Sequence, residues 1–235
     1  MTYTILARCP RTGRLGIGIA TYSISVGLYC NGVRSRTGVT ISQAFVNQGN
    51  NALVLRLLEQ GFSPEYVLEA LKANDKHHEY RQIGIIDHEG NAVAYTGPGT
   101  RKWSGHKIGD GYISTGNVLA GQEVVDAIAA GFEAEPELDL ERRLIRALEY
   151  GRDAGGQVGG SGHVTERSAA LIVFSDYDYP DIDMRVDLHE KAVDELRRIF
   201  EEYDPYRGYY RDRGRDPTTA IPQEQFAASL KSSSA

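Results

Sequence analysis

The chain has 235 residues, room for one large domain or two small ones. Hydrophobic residues make up 41% and charged residues 25%, which excludes disorder along the whole length and leaves enough apolar surface for a sizeable core. Asp plus Glu number 32 against 26 Lys plus Arg, a formal charge of −6, so no general attraction to nucleic acid or anionic lipid arises.

Residues 3–7 are rich in Tyr, Thr and Ile and predict a strand. Pro10 and Gly13 sit in a turn, because Pro fixes φ and Gly tolerates φ > 0. Residues 15–21 then alternate, with Leu15, Ile17 and Ile19 on one face, and complete a hairpin. Residues 38–45 predict a further strand. Two helices follow. Residues 50–59 place Leu53, Leu57 and Leu58 on one stripe, ended by Gly61. Ser63 caps the second, with Pro64 at its first helical position and Val67, Leu68 and Leu71 on its apolar face to about residue 73.

Residues 82–87 and 92–96 predict a second hairpin, and Gly97-Pro98-Gly99 breaks the chain after it. Residues 110–118 predict a strand, and residues 121–132 and 138–154 a pair of helices parted by Glu135-Pro136. Residues 153–162 hold five glycines and predict a loop. Residues 168–174 form a continuous apolar run, the pattern of a fully buried strand. A short strand at 184–188 and a helix at 191–202 complete the series. Hairpins dominate and helices arrive in pairs, which suits two mostly antiparallel sheets stacked between helix layers. Residues 204–235 carry no apolar period and predict a disordered tail. Its Tyr and Arg residues could stack on single-stranded nucleic acid, but Asp212 and Asp216 among the arginines make a nucleic-acid partner unlikely.

Only two cysteines occur, Cys9 and Cys30. They exclude a disulfide scaffold and a four-cysteine zinc site, and they suggest a reducing compartment. The start shows no leader pattern, and the longest uncharged run, residues 15–32, carries too many Gly, Ser, Thr and Asn residues to span a membrane. A cytoplasmic protein without membrane contact is expected. No phosphate-cradling glycine motif and no HExxH occur. His77-His78-Glu79 reads as a solvated linker, and Asp176, Asp178, Asp181 and Asp183 as a polar turn rather than an oxygen cage for a hard cation. Cys30 lacks a basic neighbour that would make it a thiolate nucleophile. No metal and no cofactor are expected.

Thr2 is sharper. A small second residue permits removal of the initiator Met, which would leave a free α-amine on a threonine. Such an amine has an ordinary pKa of about 7.7–8.0. Hydroxyl and amine on neighbouring carbons let one residue supply both nucleophile and base. An ordinary β-forming residue after a start codon accounts for Thr2 equally simply.

Several stretches resemble a bacterial and archaeal family of unknown function within the N-terminal-nucleophile (Ntn) hydrolase superfamily. They are residues 1–7 (MTYTILA), 12–16 (TGRLG), 80–87 (YRQIGIID), 103–106 (WSGH), 109–112 (GDGY), 116–121 (GNVLAG), 167–171 (RSAAL) and 185–187 (RVD). The likeness spans residues 1–203, and 116–121 is its most distinctive block. It implies an α+β fold, a four-layer αββα sandwich, and hydrolysis of the C–N bond of a small-molecule amide with Thr2 as the nucleophile. It also implies a homo-oligomer, expected to be a homodimer.

Within that reading Asn117 is the candidate oxyanion donor, since it ends a strand beside Gly116; a turn residue capping the next helix is the alternative. Thr21 and Ser23 can orient the Thr2 amine, or be β-formers facing solvent. Gln43 and Asn47 follow a strand and can bind substrate, with helix capping the alternative for Asn47. Arg81 can clamp a carboxylate or pair with a surface acid, and His106 is a loop histidine open to a binding role. Many active Ntn enzymes carry a Lys or Arg at a place corresponding to residues 33–45, where this chain offers only Arg34 and Arg36. The competing reading keeps the fold without the activity, as a binding or assembly module.

Overall fold

Along the chain come β1 (Thr2–Arg8), β2 (Leu15–Thr21), β3 (Asn31–Arg34), β4 (Gly38–Ala44), α1 (Gln48–Glu59), α2 (Pro64–Asn74), β5 (Arg81–Asp87) and β6 (Ala92–Thr96). Then follow β7 (Ser104–Gly109), β8 (Tyr112–Asn117), α3 (Gln122–Glu133), α4 (Leu140–Asp153), β9 (Gln157–Gly159), β10 (Gly162–Val164), β11 (Ser168–Phe174) and β12 (Ile182–Val186). The last elements are α5 (Ala192–Tyr203), α6 (Arg207–Arg215) and α7 (Gln223–Ser232). The computed structural model describes residues 1–232 and divides the chain into two units, Met1–Leu196 and Arg197–Ala235.

In the first unit a six-stranded sheet has the order β12-β11-β2-β1-β8-β7, and a four-stranded sheet the order β3-β4-β5-β6. Their strands pair antiparallel throughout. Alternation along the first hairpin decides which layer each residue faces. Leu6, Leu15, Ile17 and Ile19 meet Val39, Ile41 and Ile86 of the other sheet in the core between the sheets. Each Ile or Leu fully buried there stabilises the fold by about 1.5–3 kcal/mol relative to exposure.

The opposite face of the hairpin presents Gly16 and Gly18 to α4. A Cβ on Gly18 would lie 3.2 Å from the Leu144 carbonyl oxygen, and one on Gly16 2.8 Å from Leu144 Cδ1. Small residues thus let the helix backbone close on the sheet, and α3 and α4 form one outer layer. On the far side α1 and α2 cover the four-stranded sheet through Val54, Leu58, Val67 and Leu71 against Ile83 and Ile85. The fold is α+β, a four-layer αββα sandwich.

Several expectations need adjusting. β3 and β7 were not expected as strands, and His106 lies in β7 rather than in a loop. The glycine-rich stretch forms the small hairpin β9–β10. In the second unit α6 and α7 occupy residues where a disordered tail was expected. Neither helix has a buried residue, and Tyr209 of α6 stacks on Phe226 of α7 with ring centroids 4.4 Å apart. Aromatic stacking, which carries no helical period, is the contact the sequence pattern did not register. Among the described residues no helix is long and apolar enough to cross a membrane.

Candidate active site

β1 is an interior strand, so its first residue is paired on both sides. Thr2 stands opposite Thr21 of β2 and opposite Asn117 of β8. The register continues outward to Ser168, opposite Thr21, and to Ser104, opposite Asn117. Residues directly opposite in antiparallel strands share a face. Five strands therefore contribute one hydroxyl or amide each to a row, Ser168–Thr21–Thr2–Asn117–Ser104. Thr4 and Leu6, further along the same face of β1, reach the residues between the sheets, so the row lies on the inter-sheet face where the sandwich ends.

Thr2 Oγ1 donates to the Met1 carbonyl at 2.6 Å and lies 3.2 Å from Thr21 Oγ1. Thr21 Oγ1 donates to the same carbonyl. Thr2 is buried, and Met1 lines an adjoining cleft of about 220 Å³ together with Tyr22, Ser23, Phe45, Arg101 and Asn117. Two further lining residues, Ala44 and Val118, have left-handed backbones, with φ of 71° and 56°. Neither is a residue type that favours this conformation, and such strain gathers at functional sites.

The terminal amine of Met1 has its pKa lowered, first by burial and then by the nearby Arg101 cation, with Cys30 opposing. Burial pushes the Cys30 thiol up to about 12. It stays protonated at neutral pH and is no thiolate nucleophile.

Behind the row lies a buried amide network. Thr4 Oγ1 donates to Gln43 Oε1 at 2.7 Å, and Gln43 Nε2 donates to Gln82 Oε1 at 2.7 Å. Asn117 Nδ2 donates to the same Gln82 oxygen at 3.2 Å, and Gln82 Nε2 donates to the Gly116 carbonyl at 2.8 Å. Gln82 is thus the link between Asn117 and the facing sheet.

The structure brings Thr2, Thr21, Ser23 and Asn117 together and places the remaining candidates away from the cleft lining. Gln43 is fully buried in the network between the sheets. Asn47 caps α1, its side chain accepting from the Gly49 N–H at 3.1 Å. Arg81 donates to Asp75 at 2.9 Å and to the Phe45 carbonyl at 2.6 Å, so its carboxylate is internal. His106 Nδ1 is 2.8 Å from Thr96 Oγ1, and burial lowers its pKa. Arg34 and Arg36 pair with Glu59 and Asp178. Sequence reasoning missed Arg101 and Phe45. No spacing singles them out, because both enter the cleft through the ends of loops.

Among solved structures, protein SPO2555 from Silicibacter pomeroyi is 30% identical, with a TM-score of 0.77 over 86% of this chain and 85% of that chain. Anbu (ancestral beta-subunit) from Yersinia bercovieri aligns over 85% of this chain and 93% of that chain, at 11% identity and a TM-score of 0.40. No curated protein matches. The model of one family, described as a family of unknown function (DUF1028), matches residues 2–196, and the chain belongs to that family.

Proposed function

We propose that the protein is an amidohydrolase that cleaves the C–N bond of a small amide, with Thr2 as nucleophile after loss of Met1. The observation that carries this reading is the placement of Thr2: fixed on an interior strand, between Thr21 and Asn117, with the residue ahead of it lining the cleft. Removing Met1 opens the Thr2 nitrogen to the space that Met1 lines. The Thr2 amine, in its neutral form, takes the hydroxyl proton as Oγ1 attacks the amide carbonyl. The tetrahedral oxyanion needs donors. Asn117 Nδ2 carries two hydrogens and uses one on Gln82, which leaves the second for the oxyanion, a contribution of about 2.7–4 kcal/mol. The amine returns the proton to the leaving nitrogen, the C–N bond breaks, and an ester on Thr2 remains. Water, activated by the same amine, releases the acid.

Mass spectrometry of the intact protein tests the first step, since the chain should begin at Thr2. A β-lactone electrophile should then add one acyl group to the wild type and none to Thr2→Ala, while Thr2→Ser keeps the addition. A chain that retains Met1 in the cell, or a Thr2→Ala variant acylated as fast as the wild type, sinks the proposal. One observation favours the alternative of a binding module: with Met1 in place, the Thr2 hydroxyl is already spent on the Met1 carbonyl.

A further inference from the structure

The eight residues lining the cleft include one guanidinium, Arg101, and no carboxylate. In a chain of formal charge −6 this is a local reversal of sign. Elsewhere in the same unit arginines are neutralised, as Arg81 is by Asp75 and Arg14 by Glu141. Among the described residues Arg101 has no acidic partner. Its guanidinium carbon lies 5.5 Å from the centroid of the Phe45 ring, and its carbonyl accepts from the Val118 N–H at 3.3 Å. The preceding turn is tied by Thr100 Oγ1, which donates to the Gly97 carbonyl at 2.7 Å. With its main chain tied and its guanidinium set against a ring face, Arg101 keeps its N–H fork for a ligand.

With Met1 in place the cavity is about 220 Å³, below the roughly 300–1,000 Å³ usual for drug-sized ligands, and loss of Met1 adds the space of a single residue. A planar carboxylate offers two oxygens in the spacing of the guanidinium fork, whereas a phosphate brings close to two charges against one cation. We propose that the cleft selects a small amide bearing a carboxylate, and that Arg101 binds that carboxylate while the amide carbonyl lies at Thr2. The amide half of this assignment rests on the hydrolase reading; the carboxylate half rests on the charge of the cleft alone.

The two halves separate with a matched pair of probes, N-acetyl-L-alanine and its neutral carboxamide N-acetyl-L-alaninamide. Binding is measured calorimetrically on full-length Thr2→Ala protein verified by mass to lack Met1, and acetate release is measured on the wild type. The acid should bind about tenfold more tightly than the carboxamide, the order of one partly exposed charge-assisted pair. Adding Arg101→Gln should erase that preference, and Arg101→Lys should restore part of it. In the otherwise wild-type enzyme, Arg101→Gln should raise KM for the acid more than it changes kcat. Equal affinity for the two probes, no binding of either at millimolar concentration, or a preference untouched by Arg101→Gln overturns the assignment. A preference for the acid without acetate release keeps the anion site and removes the hydrolase reading. Release from both probes at equal kcat/KM keeps the hydrolase and removes the anion site.

Discussion

The terminal amine of Met1 and Arg101 act on one another through charge. The amine's pKa is lowered by burial and by the Arg101 cation, and on the hydrolase reading the Thr2 amine comes to lie near the same cation. A lowered amine pKa means more neutral base at pH 7, so acylation should rise with pH along a limb centred below 8. Arg101→Gln removes a cation that disfavours the protonated amine, and the limb should move to higher pH; a pH–rate profile of acylation reads this directly. Ala44 adds a test of strain. Its φ of 71° costs an L-residue about 1–2 kcal/mol, and glycine there gives back about 0.5–1 kcal/mol in lost chain entropy. Ala44→Gly should therefore raise stability to urea by about 0.5–1 kcal/mol while slowing acylation, because the cleft wall it forms loosens. At this scale the sequence was partly readable. Thr2 stood out by its place in the chain, and Asn117 by ending a strand beside Gly116. Their mutual opposition follows only from strand pairing, and nothing about an alanine or a valine announces a left-handed backbone.

At the scale of elements, Asp75 ties three segments. It closes α2, accepts from Asn50 Nδ2 of α1 at 2.9 Å, and pairs with Arg81 at the start of β5. Arg81, with help from Asn50 and the His77 N–H, holds the Asp75 carboxyl well below the usual carboxylate range. An acid depressed in the folded state contributes stability that is complete above its unfolded pKa of about 3.9 and is lost as pH falls further. Asp75→Asn should cost about 3 kcal/mol at pH 7 by leaving Arg81 unpaired. That difference from wild type should shrink as pH drops below about 4, and urea midpoints across the acid range check it. Which elements were legible follows from burial. β1, β2, β5 and β11 are interior strands with apolar runs or alternation, and Ser63 and Asn47 cap helices in the positions their types favour. β3 and β7 escaped notice because both are poor in β-branched and aromatic residues and bury none, whereas the edge strand β6 carries Val93, Tyr95 and Thr96.

For the whole molecule, the family match ends at residue 196, where the second unit begins at 197. In that second unit, the residues joining α6 to α7 are mostly exposed and follow Arg211, Arg213 and Arg215. Limited trypsin treatment should cut there first and leave a fragment containing residues 1–196, read by mass; early cleavage within β1 to β12 would contradict the layered core described above. The interior position of β1 has a practical side. Hydrogen-bonded to neighbours along both edges, the beginning of this strand is held in place, and the residue ahead of it lines the cavity. On the hydrolase reading, an affinity handle left at that end would keep the Thr2 nitrogen in a peptide bond and abolish acylation by the β-lactone. Handles belong at the other terminus.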